Sequence, residues 1–244
     1  MTETERILAE YERREREIEP ARYAPTNTAQ VFMRQARERI TLRLLAAAGL
    51  LPLSDKRVLD VGCGSGEWLL DFERWGARRE SLAGIDLILP RIRVARARLS
   101  WTEHDEGVPR PGADLHCGDA SHLPWRAESF DVVVQSMMFS SILDERMRRA
   151  CAAEMVRVLS GDGVVVWYDF VVRNPMNKHL RPVSSGELLE LFPGFKARTA
   201  RTTLLQPLAR RIVPRSVLLA ELLERIRPLN THVLAILTRE EAAP

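Results

Sequence analysis

The chain has 244 residues, 45% of them hydrophobic, which fits one domain with a sizeable core and argues against two full domains. Its 36 Lys and Arg residues nearly balance 33 Asp and Glu residues, so the net charge of +3 gives no strong nucleic-acid signal. Because no apolar run approaches the roughly 20 residues of a transmembrane helix, and three widely spaced cysteines form no zinc pattern, we expect a cytoplasmic protein without a metal site.

Two helices are predicted before the first strand. A polar segment at the N-terminus is followed by two prolines, and Asn27 can then cap a second helix whose apolar stripe runs to Gly49. We expect residues 1–50 to form a helical lid on a larger domain that comprises residues 51–244.

Short β-branched runs alternate with amphipathic helices in the middle of the chain. The runs in KRVLDVG, SLAGIDL and FDVVVQS are apolar on both faces, which is typical of parallel strands covered by helices on both sides. The last third adds two strand-like runs, FKARTARTTLLQ and THVLAILTR, with a helical insertion at about 206–230 between them. The predicted fold class is therefore α/β.

Three glycines follow the first strand. Gly62, Gly64 and Gly66 remove side chains where a ligand must approach the backbone, and the helix that starts near Glu67 directs free amide groups at it. The series G-C-G-S-G differs from the G-x-G-x-x-G of dinucleotide sites, and Glu67 would repel a pyrophosphate. The acidic Asp60 is compatible with a nucleoside ligand that carries an ammonium group.

Two further strand ends predict contacts to a nucleoside. Asp86 follows Gly66 by about twenty positions and could accept hydrogen bonds from both hydroxyl groups of a ribose. The carboxylate of Asp119 could accept a hydrogen bond from the amino group of an adenine, and the backbone amide of Ala120 could donate one to the same base. Three strand ends therefore converge on one nucleoside.

Five motifs occur in order over roughly residues 56 to 170: VLDVGCGSGEW, GIDL, GDASHLPW, ESFDVVVQSMMFSSI and EMVRVLSGDGVVVWYDF. Together they resemble class I S-adenosylmethionine-dependent methyltransferases of the type 11 small-molecule group. The resemblance implies a Rossmann-like seven-stranded, mostly parallel sheet with helices on both faces and an antiparallel last strand. It implies S-adenosyl-L-methionine as the cofactor.

The resemblance also assigns residues to parts of the cofactor. It places Asp60 and the glycines at the methionine part, Asp86 at the ribose, Asp119 at the adenine edge, and Gln135 toward the methyl group or the methionine end. The implied cofactor-binding residues are Asp60, Gly62, Cys63, Gly64, Gly66, Asp86, Leu87, Gly118, Asp119, Ala120 and Gln135.

The loop after the fifth strand is predicted to carry the chemistry. Methyl transfer is an in-line displacement, so the protein positions the acceptor and removes a proton where the acceptor atom is a hydroxyl oxygen. In WYDFVVRNPMNKHLRPVSSGE we predict His179 as a base and Tyr168 and Asp169 as positioning groups. The predicted substrate-binding residues are Tyr23, Met138, Arg173, Asn177 and Arg181, with the two arginines as clamps for an anionic group.

The acceptor is predicted by elimination. Gln135-Ser136-Met137 stands where amino methyltransferases of nucleobases carry an acidic or Asn residue before Pro-Pro, and no Pro-Cys occurs as in cytosine-C5 enzymes. We predict O-methylation of a small molecule, such as a secondary metabolite, a sugar or a lipid-linked compound. Two alternatives stay open: an RNA methyltransferase, and a catalytically silent cofactor-binding partner of another protein.

The insertion LARRIVPRSVLLAELLERI combines leucines with arginines. It could cover the substrate, rest on a membrane surface, or pack against the sheet edge or a second subunit. Peripheral membrane contact and a homodimer are therefore both left open.

Overall fold

Helices and strands alternate along most of the chain. The computed structural model describes residues 1–17, 24, 26–100, 102–103, 109–172 and 179–240. Within these ranges the α-helices are α1 (Glu3–Glu17), α2 (Thr28–Ala47), α3 (Glu67–Arg74), α4 (Leu89–Arg98), α5 (Glu145–Val158), α6 (Ser185–Leu191), α7 (Gln206–Ile212) and α8 (Val217–Glu224). The strands are β1 (Val58–Val61), β2 (Leu82–Asp86), β3 (Thr102–Glu103), β4 (Pro109–Arg110), β5 (Asp114–Cys117), β6 (Phe130–Ser136), β7 (Leu159–Phe170), β8 (Phe195–Leu204) and β9 (Asn230–Arg239).

One sheet contains seven of these strands, in the order β5-β2-β1-β6-β7-β9-β8. Strand β9 runs antiparallel to both of its neighbours, whereas the remaining pairs of the sheet are parallel. This confirms the predicted Rossmann-like sheet and its antiparallel last strand. The strand order reverses beside β1, with β2 on one side and β6 on the other, and such a reversal opens a crevice at the carboxyl ends of the strands.

Apolar residues on both faces of the sheet build two buried layers. Trp167 and Tyr168 point to opposite faces because side chains alternate along β7. The ring of Trp167 lies 4.6 Å from that of Phe139 and 6.0 Å from that of Phe192, whereas Tyr168 lies 6.2 Å from Trp68 of α3. Helices are thus anchored on both faces, which fixes the positions of the loops at the crevice.

Helix α1 is attached to the loop that follows β6. The guanidinium of Arg6 donates to the carbonyl oxygen of Ser141, and the hydroxyl oxygens of Tyr11 and Ser141 lie 3.2 Å apart. Helix α2 begins after Asn27, whose side-chain oxygen accepts a hydrogen bond from the amide of Ala29 at 3.1 Å. The role of these helices as a lid stays a prediction.

The insertion before the last strand forms α7, α8 and a short 3-10 turn, Arg227–Leu229. Its inner side is apolar: Ala209, Val213 and Ala220 are buried in a cluster with Phe32 of α2. In the part of the chain that the structure describes, no helix is both long and apolar enough to cross a bilayer.

A buried arginine joins α5 to the segment that leads into α6. The side chain of Arg148 is 1% exposed. It donates to the carbonyl oxygens of Ile142 and Arg181 at 2.7 and 2.8 Å, and to the carboxylate of Glu187 at 2.6 Å. These hydrogen bonds hold together three segments that surround the end of the sheet.

We expect Arg148→Ala to lower the free energy of unfolding by about 2–4 kcal/mol, because it leaves three acceptors without their donor. Arg149→Ala is the matched control, since Arg149 lies on the same helix with a side chain that is 75% exposed and pairs with Glu145. Its effect should stay within about 0.5 kcal/mol. Urea denaturation measures both values, and equal losses in the two variants would contradict a structural role for Arg148.

Candidate active site

A cavity of about 200 Å³ lies at the crevice, between the turn after β1, the ends of β2, β5 and β6, and helix α1. We call it the glycine-turn cavity. Six of the residues predicted to bind the cofactor line it: Gly62, Gly64, Asp86, Leu87, Gly118 and Ala120, together with Met138 and with Ile7 and Tyr11 of α1.

The turn between β1 and α3 requires glycine for its conformation and its space. Gly62, Gly64 and Gly66 have φ angles of 79°, 53° and 82°, in the left-handed region that glycine adopts at little cost. A Cβ atom on Gly62 would lie 3.0 Å from the Cβ and Cγ atoms of Met138, which is tighter than nine in ten real Cβ contacts. The bare backbone of the turn can therefore approach a ligand closely.

Two residues of the motif pack behind the turn instead of lining the cavity. A Cβ atom on Gly66 would lie 3.1 Å from Leu99 Cδ1, and one on Gly84 of β2 would lie 2.9 Å from the Sγ of Cys63. Burial raises the pKa of the Cys63 thiol, which makes it unreactive. Packing accounts for both residues, and the predicted cofactor contacts of Cys63 and Gly66 stay predictions.

The carboxylate of Asp86 ties the glycine turn to the end of β2. One of its oxygens accepts from the amide of Gly64 at 2.9 Å, and the other accepts from the amide of Ile88 at 2.8 Å. Burial raises the pKa of Asp86, and these two amides partly offset the shift. Each carboxylate oxygen has further lone pairs, so Asp86 can still accept two hydroxyl groups from a ligand in the cavity.

Asp119 lies beside the cavity with its carboxylate engaged by the protein. Oδ1 accepts from the amide and the hydroxyl of Ser121, both at 2.8 Å, and Oδ2 accepts from the hydroxyl of Thr4 at 3.5 Å. The flanking residues Gly118 and Ala120 face the cavity instead. The predicted adenine contact of Asp119 stays a prediction.

Two buried polar groups lie at the ends of β1 and β6. Asp60 is 1% exposed, and its Oδ1 has no hydrogen-bond partner among the described residues. Burial, and then the nearby charge of Asp86, raises the pKa of Asp60 to about 8, while Arg37 opposes the shift. Gln135 is also buried: its Oε1 accepts from the amide of Met138 at 3.2 Å, and its Nε2 lacks a partner in the described ranges. Unpartnered groups of this kind favour a polar ligand nearby.

A second cavity, of about 570 Å³, adjoins the first. Arg91, Ser136 and Met137 line both. Met137 has a φ angle of 62°, which is uncommon for methionine, and its amide donates to the carbonyl oxygen of Tyr168 at 2.8 Å. We call this the arginine-lined cavity; its other lining residues include Arg34, Arg37, Arg98, Glu67, Tyr168, Thr203, Gln206 and His232.

Stacked rings form one wall of the arginine-lined cavity. The rings of Tyr168 and His232 are nearly parallel with centroids 4.9 Å apart, and the ring of Phe170 lies 4.2 Å from the imidazole. The antiparallel pairing of β7 with β9 places Phe170 opposite His232 and so assembles this wall. The hydroxyl of Tyr168 is hydrogen-bonded to that of Thr203 at 2.6 Å.

Two contacts of Thr231 favour one tautomer of His232. We assign the single hydroxyl hydrogen of Thr231 to the carbonyl oxygen of Thr203, 3.2 Å away, so that its oxygen accepts from Nδ1 of His232 at 2.8 Å. Nδ1 therefore carries the ring hydrogen and Nε2 has a free lone pair. Burial, and then the charge of Arg37, lowers the pKa of His232 to about 3, so the imidazole is neutral.

The predicted catalytic residues lie in three different places. Tyr168 lines the arginine-lined cavity. Asp169 faces the other side of the sheet, where its carboxylate accepts from the amide of Ser140 at 3.0 Å and burial raises its pKa to about 6. His179 is 48% exposed, with Nδ1 3.5 Å from the carboxylate of Glu10, and it lines neither cavity. The catalytic roles of these residues stay predictions.

The predicted substrate-binding residues are also dispersed. Met138 lines the glycine-turn cavity, whereas Arg181 pairs with Glu187 at 3.1 Å, beside Arg148. Tyr23, Arg173 and Asn177 lie outside the described residues.

The sequence analysis predicted a helical lid but missed His232 and the residues by which α1 lines the glycine-turn cavity. In THVLAILTR nothing distinguishes His232 from an ordinary residue at the start of a strand; its partners come from β7 and from Thr203 of β8. Ile7 and Tyr11 lie at positions i and i+4 of a mostly polar helix. This spacing puts them on one side of α1, and it was the signal in the sequence that this side packs against the rest of the domain. Both depend on contacts between elements that are far apart in the sequence.

A family model described as "Methyltransferase domain" matches residues 58–163. A demethylmenaquinone methyltransferase from Deinococcus radiodurans is 30% identical over 128 residues, which are 52% of this chain and 48% of the relative. Phthiotriol/phenolphthiotriol dimycocerosates methyltransferase 1 from Mycobacterium ulcerans is 32% identical over 139 residues, 57% of this chain and 46% of the relative. The chain thus spans about half the length of these curated relatives.

A solved structure extends the similarity beyond the matched segment. An S-adenosylmethionine-dependent methyltransferase from Mesorhizobium loti, 19% identical, covers 85% of this chain and 100% of its own with a TM-score of 0.56, which shows a shared fold. These findings confirm the predicted family and its cofactor, S-adenosylmethionine. Residues 58–163 thus form a methyltransferase domain of the predicted class I, S-adenosylmethionine-dependent kind.

Proposed function

We propose that the chain transfers a methyl group from S-adenosylmethionine to a hydroxyl oxygen of a small molecule, such as a secondary metabolite, a sugar or a lipid-linked compound. The observation that carries the proposal is the free lone pair of His232 Nε2 in a ring that lines the arginine-lined cavity. That cavity meets the glycine-turn cavity at Met137, where donor and acceptor would face each other. The two relatives described above are named for small-molecule acceptors, which supports the same class here.

The glycine-turn cavity would hold the adenosine part of the cofactor. Asp86 would accept the ribose hydroxyls, and Leu87 and Ala120 would border the adenine. The methionine end would lie toward Asp60 and Gln135, because an ammonium group suits the free oxygen of the first and a carboxylate suits the free amide of the second. When bound, the cofactor supplies an electrophilic methyl group on a sulfonium.

His232 would accept the proton that the acceptor loses. Methylation forms an O–C bond and breaks the C–S bond, whose electron pair stays on sulfur, so the hydroxyl proton must leave the product. A hydroxyl group becomes strongly acidic as its oxygen gains the methyl group, and an imidazole of low pKa can therefore still accept the proton. The hydrogen bond from Nδ1 to Thr231 keeps Nε2 directed away from the strand.

The fraction of a cell extract that takes up a labelled methyl group distinguishes this proposal from its two alternatives. Methyl-labelled cofactor is incubated with the protein and with cell extract divided into small molecules, lipids, RNA and proteins. Label in RNA would favour an RNA methyltransferase, and the absence of label despite cofactor binding would favour a silent partner protein.

We expect Asp86→Ala to weaken binding of S-adenosylmethionine by about 10- to 100-fold, because two charge-assisted hydrogen bonds to the ribose are lost. Asp162→Ala is the control, since Asp162 is exposed near the start of strand β7. Isothermal titration calorimetry gives the affinity, and thermal unfolding shows whether the glycine turn survives. Unchanged affinity in a folded Asp86→Ala variant would remove Asp86 from the cofactor site.

Cofactor binding at pH 6.5 is expected to release up to about one proton, because Asp60 starts protonated with a pKa of about 8 and a nearby cation favours its ionised form. The α-amino group of the ligand, with a usual pKa of about 7.7–8.0, is already charged at this pH and contributes little. Calorimetry in buffers of different ionisation enthalpy counts the protons. Asp60→Asn should abolish the release; a release that persists in this variant would assign the proton to another group.

His232→Asn is expected to lower the rate of label transfer by about 100-fold or more while leaving cofactor affinity unchanged. Asparagine can still donate to Thr231 from the position of Nδ1, yet it has no atom in place of Nε2. His179→Asn is the matched control and tests the base that the sequence predicts. If His179→Asn loses activity and His232→Asn keeps it, the proposed base is wrong and the loop histidine takes its place.

A further inference from the structure

Large apolar side chains are concentrated on the outer side of the insertion. Six of the twelve exposed large hydrophobic residues in the described part of the chain lie between positions 205 and 226. Leu218 is 68% exposed, and Leu219 and Leu222 of the same helix are 46% and 49% exposed. The other three are Leu205, Val217 and Ile226.

This face belongs to a helix whose inner side is already occupied. Ala220 is buried in the cluster that joins α8 to α2 and α7. Leu218 and Leu222 are four residues apart and therefore lie above one another on the opposite side of α8. The packing of the insertion thus leaves its most apolar stretch facing outward.

Exposed arginines flank α8 and its leucines on both sides in the sequence. Arg211, Arg215, Arg225 and Arg227 are exposed, and within the described ranges none of the four forms an ion pair. Glu221 is the acidic residue exposed on α8 itself, so positive charge predominates on this side of the insertion. A helical surface with leucines in its centre and arginines around them is typical of proteins that lie on anionic membranes.

The same insertion contributes to the arginine-lined cavity. Gln206, the first residue of α7, lines that cavity, and α7 and α8 pack against each other. A surface on which α8 rests would therefore lie close to the proposed acceptor site.

We propose that the outer face of α8, with Leu218, Leu219 and Leu222 and the arginines around them, docks the protein onto the surface of an anionic phospholipid membrane. The leucines would enter the boundary between headgroups and acyl chains, while the guanidinium groups contact lipid phosphates. A second copy of the chain fits this face less well, because a twofold interface would set the four arginines against their own symmetry mates.

Vesicle sedimentation tests this inference with the full chain. Vesicles of phosphatidylcholine containing phosphatidylglycerol should bind the protein at least tenfold more tightly than pure phosphatidylcholine, and added salt should weaken the binding. Leu218→Glu should abolish it, and Arg225→Ala should weaken it by about fivefold. Leu189→Glu on α6, where Leu189 is 46% exposed, and Arg149→Ala on α5 are the controls that should bind as the unmodified chain does.

Three outcomes would overturn the inference. They are equal binding to both kinds of vesicle, equal loss with Leu189→Glu, and a concentration-dependent dimer in analytical ultracentrifugation that Leu218→Glu dissociates. The last outcome would assign the face to a subunit contact. Affinity for S-adenosylmethionine, measured on each variant, should not change, so a failure here is distinct from a failure of the proposed methyl transfer.

Discussion

The carboxylate of Asp86 is the contact on which the candidate site depends. By accepting from the amides of Gly64 and Ile88, it joins the turn after β1 to the start of α4. Both amides stabilise the ionised carboxylate against the burial that raises its pKa. The left-handed turn and the absent Cβ of Gly62 then leave room for Met138, so two neighbouring strand ends and the loop after β6 form one continuous wall.

Arg37 lines the arginine-lined cavity and influences the pKa values of two buried groups, Asp60 and His232. Its guanidinium pairs with Asp71 at 2.6 Å and lies 4.4 Å above the ring of Trp68. The same positive charge opposes the upward pKa shift of Asp60 and strengthens the downward shift of His232. One cation on α2 therefore favours an ionised carboxylate at Asp60 and a neutral imidazole at His232, which are the states that the proposed methyl transfer requires.

The sequence predicted the fold and six residues that line the glycine-turn cavity, because the signals for both are local. The alternation of apolar strands with helices, the glycine series and the acidic residue after β2 each lie within a few positions of one another, and the order of the motifs gave the sheet. His232 illustrates the limit. The features on which its proposed role rests are the stacking of its ring on Tyr168, the hydrogen bond to the hydroxyl of Thr231 and the free Nε2. The stacking forms only when β9 pairs with β7. The sequence analysis instead predicted His179 as the base because the loop that contains it is rich in polar residues. In the structure His179 lies beside Glu10 of α1.

The family match covers the two cavities to different extents. The family match spans residues 58–163 and contains the part of the glycine-turn cavity that Asp86 and the glycines form. Most of the arginine-lined cavity comes from α2, from Tyr168, and from the region after position 200, all outside that match. An acceptor cannot therefore be transferred from the relatives together with the cofactor. The chemistry of the acceptor must be read from this cavity itself, where Arg37 and Arg98 already pair with Asp71 and Glu67, and where the neutral imidazole of His232 is available to a hydroxyl group in the proposed reaction.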